Sequence, residues 1–329
     1  MLTRHTATAA ETAFPAVAWF DLLDGNAEEV ALVEAATGLH VPTFAELSEI
    51  ETSSRLRIEG ETLYLSAPLI QRAEATHPRQ GTSITTPVGF VLTRHCLITV
   101  RFARLNAFTT FAERLGVERE TAGPAPDGPS VFVGLADAIV DRLADVLESI
   151  GAELDTISQR IFTNQVSEVS RLRRPASEDA DLRAILRRIG RSGDLASKIR
   201  DSLLGVGRIL PFVLTMRAEW LTPDLRRRVE TMRQDVASLA DYDTHLTNKV
   251  QLLLDATLGL ISIEQNNIIK VLTVVSVVGV PPTLVASMYG MNFKHMPELD
   301  WAWGYPYALA MLLLSAVGPL IWFKLRGWL

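Results

Sequence analysis

The chain has 329 residues, 48% of them hydrophobic and 21% charged, with a formal net charge of -6, and so has room for roughly two domains. A single cysteine, Cys96, excludes an intramolecular disulfide and any multi-cysteine metal site within a chain. No G-x-x-x-x-G-K-[ST] stretch is present, so the usual phosphate cradle of a nucleotide-driven pump is missing, and no nucleic-acid partner is expected of so acidic a chain.

In chain order, Thr6–Ala13 is weakly apolar and interrupted by Glu11, which is not a signal peptide, so the N-terminal part is expected in the cytoplasm. Residues 16–22 suit a strand. Asn26 then caps a predicted helix at Ala27–Thr37 that stops at Gly38, and a second helix is expected at Thr43–Glu51. Arg55–Ile58 and Thr62–Ile70 flank the turn Glu59-Gly60-Glu61 as a hairpin, and Val88–Thr93 and Leu97–Phe102 flank another. Cys96 lies in this second apolar run and reads as a small core residue. The sum is a mixed α/β body.

Residues 121–130 hold three prolines and two glycines and read as a linker. Beyond it Leu135, Ile139, Leu143, Val146, Leu147, Ile150, Leu154, Ile157 and Ile161 recur at helical spacing over about 133–163. Further helices are expected over roughly 179–206 and 209–219, and Arg171, Arg173 and Arg174 form a solvated basic turn. Thr222, Pro223 and Asp224 make a helix start, and no further proline or glycine occurs before Gly259. One helix over 222–289 would be about 100 Å long.

Its second half is apolar. Val271–Met288 and Gly304–Phe323, 18 and 20 residues, contain no Asp, Glu, Lys or Arg. At about 1.5 Å per residue the second spans a bilayer core of about 30 Å, and the first does so with its uncharged flanks. Lys270 precedes the first span, Lys324 and Arg326 follow the second, and the link Tyr289–Trp303 has only Lys294 as a basic residue. The positive-inside rule then puts both termini in the cytoplasm, with Trp301, Trp303, Tyr305 and Tyr307 at the outer interface and Trp322 and Trp328 at the inner one.

Along the first span and the turns before it, Asp255, Gly259, Ser262, Asn266, Thr273, Ser276, Thr283 and Ser287 recur at steps of three, four or seven, with Val280 the apolar member of the series. Such a period keeps them on one side. Small and hydroxyl residues also let helices pack closely in lipid. Two spans cannot enclose a pore, so a conducting role requires several copies in a ring with this stripe inward. Carboxamide and hydroxyl oxygens suit hard, hydrated cations. A single charge crossing 100 mV gains about 2.3 kcal/mol and a divalent ion roughly twice that, so passive uptake suffices.

Gly290-Met291-Asn292, set between two terminal spans, followed by Met296-Pro297-Glu298-Leu299, Gly304-Tyr305-Pro306 and Phe323-Lys324-Leu325-Arg326-Gly327-Trp328-Leu329, and preceded by Asn266, Lys270 and Pro281-Pro282-Thr283, resembles the CorA magnesium channels. The likeness covers about 255–329 and extends more weakly to Trp19-Phe20-Asp21-Leu22 and Glu49–Arg55. It implies an α+β membrane protein of the inner (cytoplasmic) membrane: a cytoplasmic α/β/α and helical domain over 1–221, a stalk helix running into the first span over 222–289, an extracytoplasmic loop over 290–303, and a second span with a basic tail over 304–329. It further implies a homopentamer in the bilayer that moves Mg²⁺ inward, accepts Co²⁺ and Ni²⁺, and closes when cytoplasmic Mg²⁺ occupies acidic sites between subunits. No organic cofactor is implied.

Carried over residue by residue, Asn292 would hold the hydrated ion at the outer mouth, with Gly290 forming the bend, Met291 anchoring it and Glu298 attracting cations. Asp255, Asn266 and Thr283 resemble pore or inner-mouth positions, and with the stripe's Thr273, Ser276, Val280 and Ser287 they would line the path. Glu230, Asp235, Asp241 and Asp243 are candidates for regulatory metal. Many members have an acidic residue after the loop Phe, whereas Phe293 here is followed by Lys294 and His295, which lowers the negative potential of the mouth. Two other readings stay open: a sister transporter of Zn²⁺ or another transition metal, and a membrane-anchored scaffold whose hairpin only anchors. An enzyme is not expected, because the six histidines show no nucleophile-base or metal-ligand spacing.

Overall fold

The computed structural model describes residues 1–6, 17–49, 51–71, 83–120, 126–163, 175–291, 297 and 301–328. They form two compact units, Met1–Ser170 with Ile185–Leu254, and Arg171–Ala184 with Asp255–Leu329.

The first unit is built on six strands, β1 (Leu2–Thr6), β2 (Val17–Leu23), β3 (Leu56–Glu59), β4 (Thr62–Gln71), β5 (Ile84–Leu92) and β6 (Leu97–Arg101), in the order β1-β2-β6-β5-β4-β3. Both expected hairpins form: β3 pairs antiparallel with β4, and β5 with β6. The join between β2 and β6 is parallel, with Trp19 opposite Leu97 and Leu23 opposite Arg101. β1, which the sequence pattern did not single out, pairs antiparallel with β2 at the sheet edge.

Helix α1 (Ala27–Thr37) starts and stops where expected. Asn26 Oδ1 accepts from the Glu29 N–H while Glu29 reaches back to the Asn26 N–H, and Gly38 ends the helix at a φ of 69°. The expected helix over 43–51 is shorter. After Thr43 and Glu46 close a second capping box, α2 covers only Phe44–Leu47, and a separate turn, α3, covers Thr52–Arg55. The Ser48 hydroxyl donates to the Phe44 carbonyl, the local competition by which serine disfavours continued helix.

Alternation along the strands buries both faces of the sheet. Phe20, Leu22, Tyr64, Val91, Ile98 and Val100 meet Val33, Val41 and Leu47 on the α1–α2 side, and Cys96 packs at this cluster's edge, where burial pushes its thiol up. It is a packing residue and not an activated nucleophile. On the other face Trp19 and Phe90 meet Phe108 and Phe111 of α4 (Asn106–Glu120) and Phe132 of α5 (Gly128–Thr163), with Trp19 5.4 Å from Phe111 and Phe90 6.0 Å from Phe132. These layers are the expected α/β/α arrangement. α5 begins inside the segment read as a linker: a Cβ at Gly128 would stand 2.4 Å from the Thr93 carbonyl oxygen, so glycine there is what lets the helix start against the β5–β6 turn.

One polar network crosses the second face. Arg101 Nε donates to both oxygens of Asp21, Nη2 donates to Oδ2 at 2.7 Å, and Nη1 donates to the Ala103 carbonyl. Thr99 Oγ1 donates to Asp21 Oδ1 at 2.8 Å and accepts from Trp19 Nε1 at 2.9 Å, and the guanidinium lies 4.9 Å from the Phe108 ring centre. Both carboxylate oxygens are thereby satisfied in a buried site, the condition under which a buried pair holds.

α5, α6 (Pro175–Met216) and the first part of α7 (Pro223–Tyr289) complete the unit as a helical layer. α6 is one helix where two were expected. It runs through Pro211 because Leu203, Val206, Leu210 and Val213 stay buried across it, packing that outweighs the roughly 3 kcal/mol an interior proline costs. The buried side of α7 here recurs at three and four residues through Val229, Met232, Val236, Asp243, Leu246 and Leu253, with Leu239 and Val250 half-buried at the intervening positions. This is a heptad seam with an acid inside it.

Candidate functional site

The second unit holds the end of α7 and α8 (Gly304–Leu325). α7 and α8 are the two described helices long and apolar enough to cross a membrane, and only 6% of the apolar window of each is buried. Buried core helices would be covered, so this exposure excludes the core reading and leaves an apolar surface that lipid or another copy must meet.

α7 has two distinct sides in this unit. Asp255, Asn266, Ser276, Val280, Thr283 and Ser287 are exposed, and Thr273 is half-buried. Their spacing at 100° per residue gathers them within about 60° of Val280. Lys270, Val278, Pro281, Val285 and Tyr289 are less exposed, and Val274 is buried. Val285 and Tyr289 of this second side face Tyr305, Ala308, Leu309 and Leu312 of α8 across a narrow cleft. The stripe is therefore turned away from α8, the other span among the described residues.

Hydroxyls in the stripe are tied to the helix. Thr273 Oγ1 donates to the Ile269 carbonyl at 2.8 Å, and Thr283 Oγ1 donates to the carbonyls of Val280, at 2.8 Å, and Gly279, at 3.2 Å. Pro281 and Pro282, lacking N–H groups, leave the Val277 and Val278 carbonyls without their ladder donors, next to the two carbonyls that Thr283 engages. Each hydroxyl oxygen keeps its lone pairs for water or an ion's hydration shell.

α7 ends at Tyr289. The Gly290 N–H reaches the Ala286 carbonyl at 3.0 Å and the Met291 N–H the Met288 carbonyl at 3.3 Å, so Gly290 and Met291 form the turn leaving the span. Asn292, Glu298, Lys294 and His295 lie outside the described residues.

The four acids proposed as regulatory sites are not equivalent. Glu230 is held by Arg233 one turn on. Asp235 is exposed and lies close enough to Asp141 of α5 to act on it. Asp141 is raised from the ordinary carboxyl value by burial first and then by Asp137, with Asp145 and Asp235 adding to it and Arg114 opposing. Asp241 is exposed. Asp243 is inside: Arg200 Nε of α6 donates to its Oδ2 at 2.8 Å, while Oδ1 has no partner among the described residues. The sequence carried a signal for this, because 243 falls in the apolar heptad of α7. Among the described residues no cluster of three His, Cys, Asp or Glu side chains within the chain could hold a metal.

Burial, opposed by Arg200, raises the Asp243 carboxyl above its usual value. A carboxyl raised on folding contributes stability that is full below its unfolded value and declines as pH rises through the folded one. Asp243→Asn should remove that decline. Arg200→Met should steepen it by leaving the buried carboxylate unpaired, at about 3 kcal/mol, the low end for a broken buried pair because Arg200 is 43% exposed. Unfolding of both variants between pH 4 and 8 measures this, and parallel pH slopes would refute it.

An α/β/α body carrying a helical layer, a 67-residue helix with an apolar second half, and a second apolar helix define a membrane protein with a polar-striped span. The model of the CorA-like Mg²⁺ transporter family matches residues 15–325, and the chain belongs to that family, which is one of transporters and not of enzymes. It is 32% identical over 311 residues to the magnesium transport protein CorA of Escherichia coli K12, and 33% identical over 311 residues to that of Pasteurella multocida. Each match covers 94% of this chain and 92% of the relative. The complete structure of the CorA magnesium transporter from Methanocaldococcus jannaschii superposes with a TM-score of 0.71 at 17% identity, over 94% of this chain and 91% of that one, a likeness of fold.

Proposed function

We propose that this protein conducts Mg²⁺ passively into the cell, driven by the membrane potential, through a ring of five copies whose α7 stripes face a common lumen. One observation carries this reading: the oxygen-bearing side of α7 is exposed and opposite the side that faces α8. In a bilayer that side has to find an aqueous or protein environment, and a closed ring of identical spans supplies it. Asp255, Asn266, Thr273, Ser276, Val280, Thr283 and Ser287 line the path, and the turn at Gly290 and Met291 presents Asn292 at its outer mouth, with Glu298 drawing cations in.

The domain plan accompanying this reading is a cytoplasmic body over 1–221, a stalk and first span over 222–289, an outer loop over 290–303 and a second span over 304–329, in the inner membrane with both termini cytoplasmic. Co²⁺ and Ni²⁺ share the path. Cytoplasmic Mg²⁺ closes it by bridging acids of adjacent copies, for which exposed Asp235 and Asp241 are better placed than Glu230, occupied by Arg233, or buried Asp243.

Purified protein in liposomes, given an inside-negative potential, should admit Mg²⁺ without ATP and faster than Zn²⁺. Zn²⁺ flux exceeding Mg²⁺ flux would transfer the assignment to a transition-metal transporter, and no cation flux would leave the hairpin as an anchor.

A further inference from the structure

Lys270 is the cation nearest the start of the apolar part of α7, one helical turn from both Asn266 and Thr273 of the stripe. At 100° per residue its Cα lies only about 80° around the helix from Val280, and a lysine stem is flexible enough to bring the ammonium to either side. In a ring of copies, ammonium groups turned into the lumen would raise a positive barrier to a divalent cation. Where Lys270 points is therefore a question of function.

The structure answers it with the end of α8. Gly327, at a φ of 69°, reverses the chain. The Trp328 N–H bonds the Phe323 carbonyl at 3.0 Å and the Gly327 N–H the Lys324 carbonyl at 3.2 Å, the paired closure of a Schellman motif. The turn lays the Trp328 ring on Phe323, 5.4 Å between centres and 27° between planes, and Phe323 is 2% exposed. Lys270 Nζ stands 5.7 Å from the centre of the Trp328 ring, within cation–π range. Among the described residues no carboxylate pairs with Lys270, so the indole face is the group that holds its charge.

We propose that Trp328 is a positioning residue for conduction: it holds the Lys270 ammonium on the α8 side of α7 and so keeps positive charge out of the cation path. This rests on the reading of the α7 stripe as the lumen. Nothing in it requires Trp328 to touch the ion.

The test is Mg²⁺ flux by the full-length protein in liposomes, with assembly of each variant checked by size-exclusion in detergent. Trp328→Leu should lower flux about tenfold, Trp328→Tyr should retain most of it, and adding Lys270→Gln to Trp328→Leu should restore flux to within about threefold of the unsubstituted protein. A merely structural role for Trp328 would not be rescued by removing a charge, so a double variant as poor as Trp328→Leu overturns the proposal. Flux unchanged in Trp328→Leu overturns it as well. Trp328→Met, of similar reach and without a π face, is run in parallel and should likewise lose flux about tenfold and regain it with Lys270→Gln, so that it decides the question where the leucine variant fails to assemble. If the unsubstituted protein passes no Mg²⁺, the reading of the stripe fails and this proposal with it. If it conducts and the rescue is missing, only this proposal fails.

Discussion

Asn292→Ala is expected to abolish Mg²⁺ uptake, reducing it to the level of empty liposomes and failing to support growth of a Mg²⁺-starved, transport-deficient strain. Mg²⁺ gives up its water reluctantly and binds through a hydration shell where no dedicated cage of ligands exists. A ring of neutral carboxamide oxygens can hold those waters firmly enough to select the ion and loosely enough to release it. In the proposed ring, alanine would remove every such oxygen at the mouth in one step, because each substitution is repeated in every copy. Lys294 and His295, two and three positions further on, would lower the negative potential at the proposed mouth, leaving Glu298 as a remaining attraction for cations. Retained uptake by Asn292→Ala would sink the assignment of the outer mouth.

The largest expected loss of stability is at Arg101. Arg101→Met should destabilise the first unit by about 3–5 kcal/mol, the cost of leaving a buried carboxylate without its cation, against the 5–15 kcal/mol of a typical domain. Asp21 would keep its bond from Thr99 but lose three donor contacts from the guanidinium, and Phe108 would lose the cation over its ring. Urea unfolding monitored by tryptophan fluorescence measures the loss, since Trp19 bonds directly into the network. Arg101→Met combined with Asp21→Leu should recover much of it, because removing both partners leaves no orphaned charge. A double variant no more stable than Arg101→Met would show that the loss comes from packing rather than from the unpaired carboxylate.

Much of this architecture was legible in the residue order because its causes are local. Asn26 with Glu29 and the glycine at 38 bound α1 without reference to anything distant. The turn at Glu59-Gly60-Glu61 joins β3 to β4. The start at Thr222-Pro223 and the long absence of breakers delimit α7, observed from Pro223 to Tyr289 against an expected 222–289. The sequence pattern did not single out α4 although Phe108, Phe111 and Leu115 carry its period; three large buried apolar residues among many polar ones are a weak signal beside the runs on either side. The hairpin of spans, the polar side of the first of them and the family motif were all open to reading, since chemistry at fixed spacing survives without coordinates.

Sequence alone thus determined most of the elements, though not β1, α4 or the continuity of α6, together with the two spans, the side of α7 that bears oxygen and the family to which the chain belongs. Tertiary structure decided what depends on residues brought together from far apart. It set β2 beside β6 in parallel, so that Asp21 meets an arginine 80 positions on. It carried α6 through Pro211, and it put Asp243 inside the bundle while leaving Asp235 and Asp241 outside. It turned the stripe away from α8 and laid Trp328 against Lys270. The physical reason is the same in each case: propensity and spacing act over a few residues, whereas burial and charge pairing are settled by whatever the folded chain places alongside.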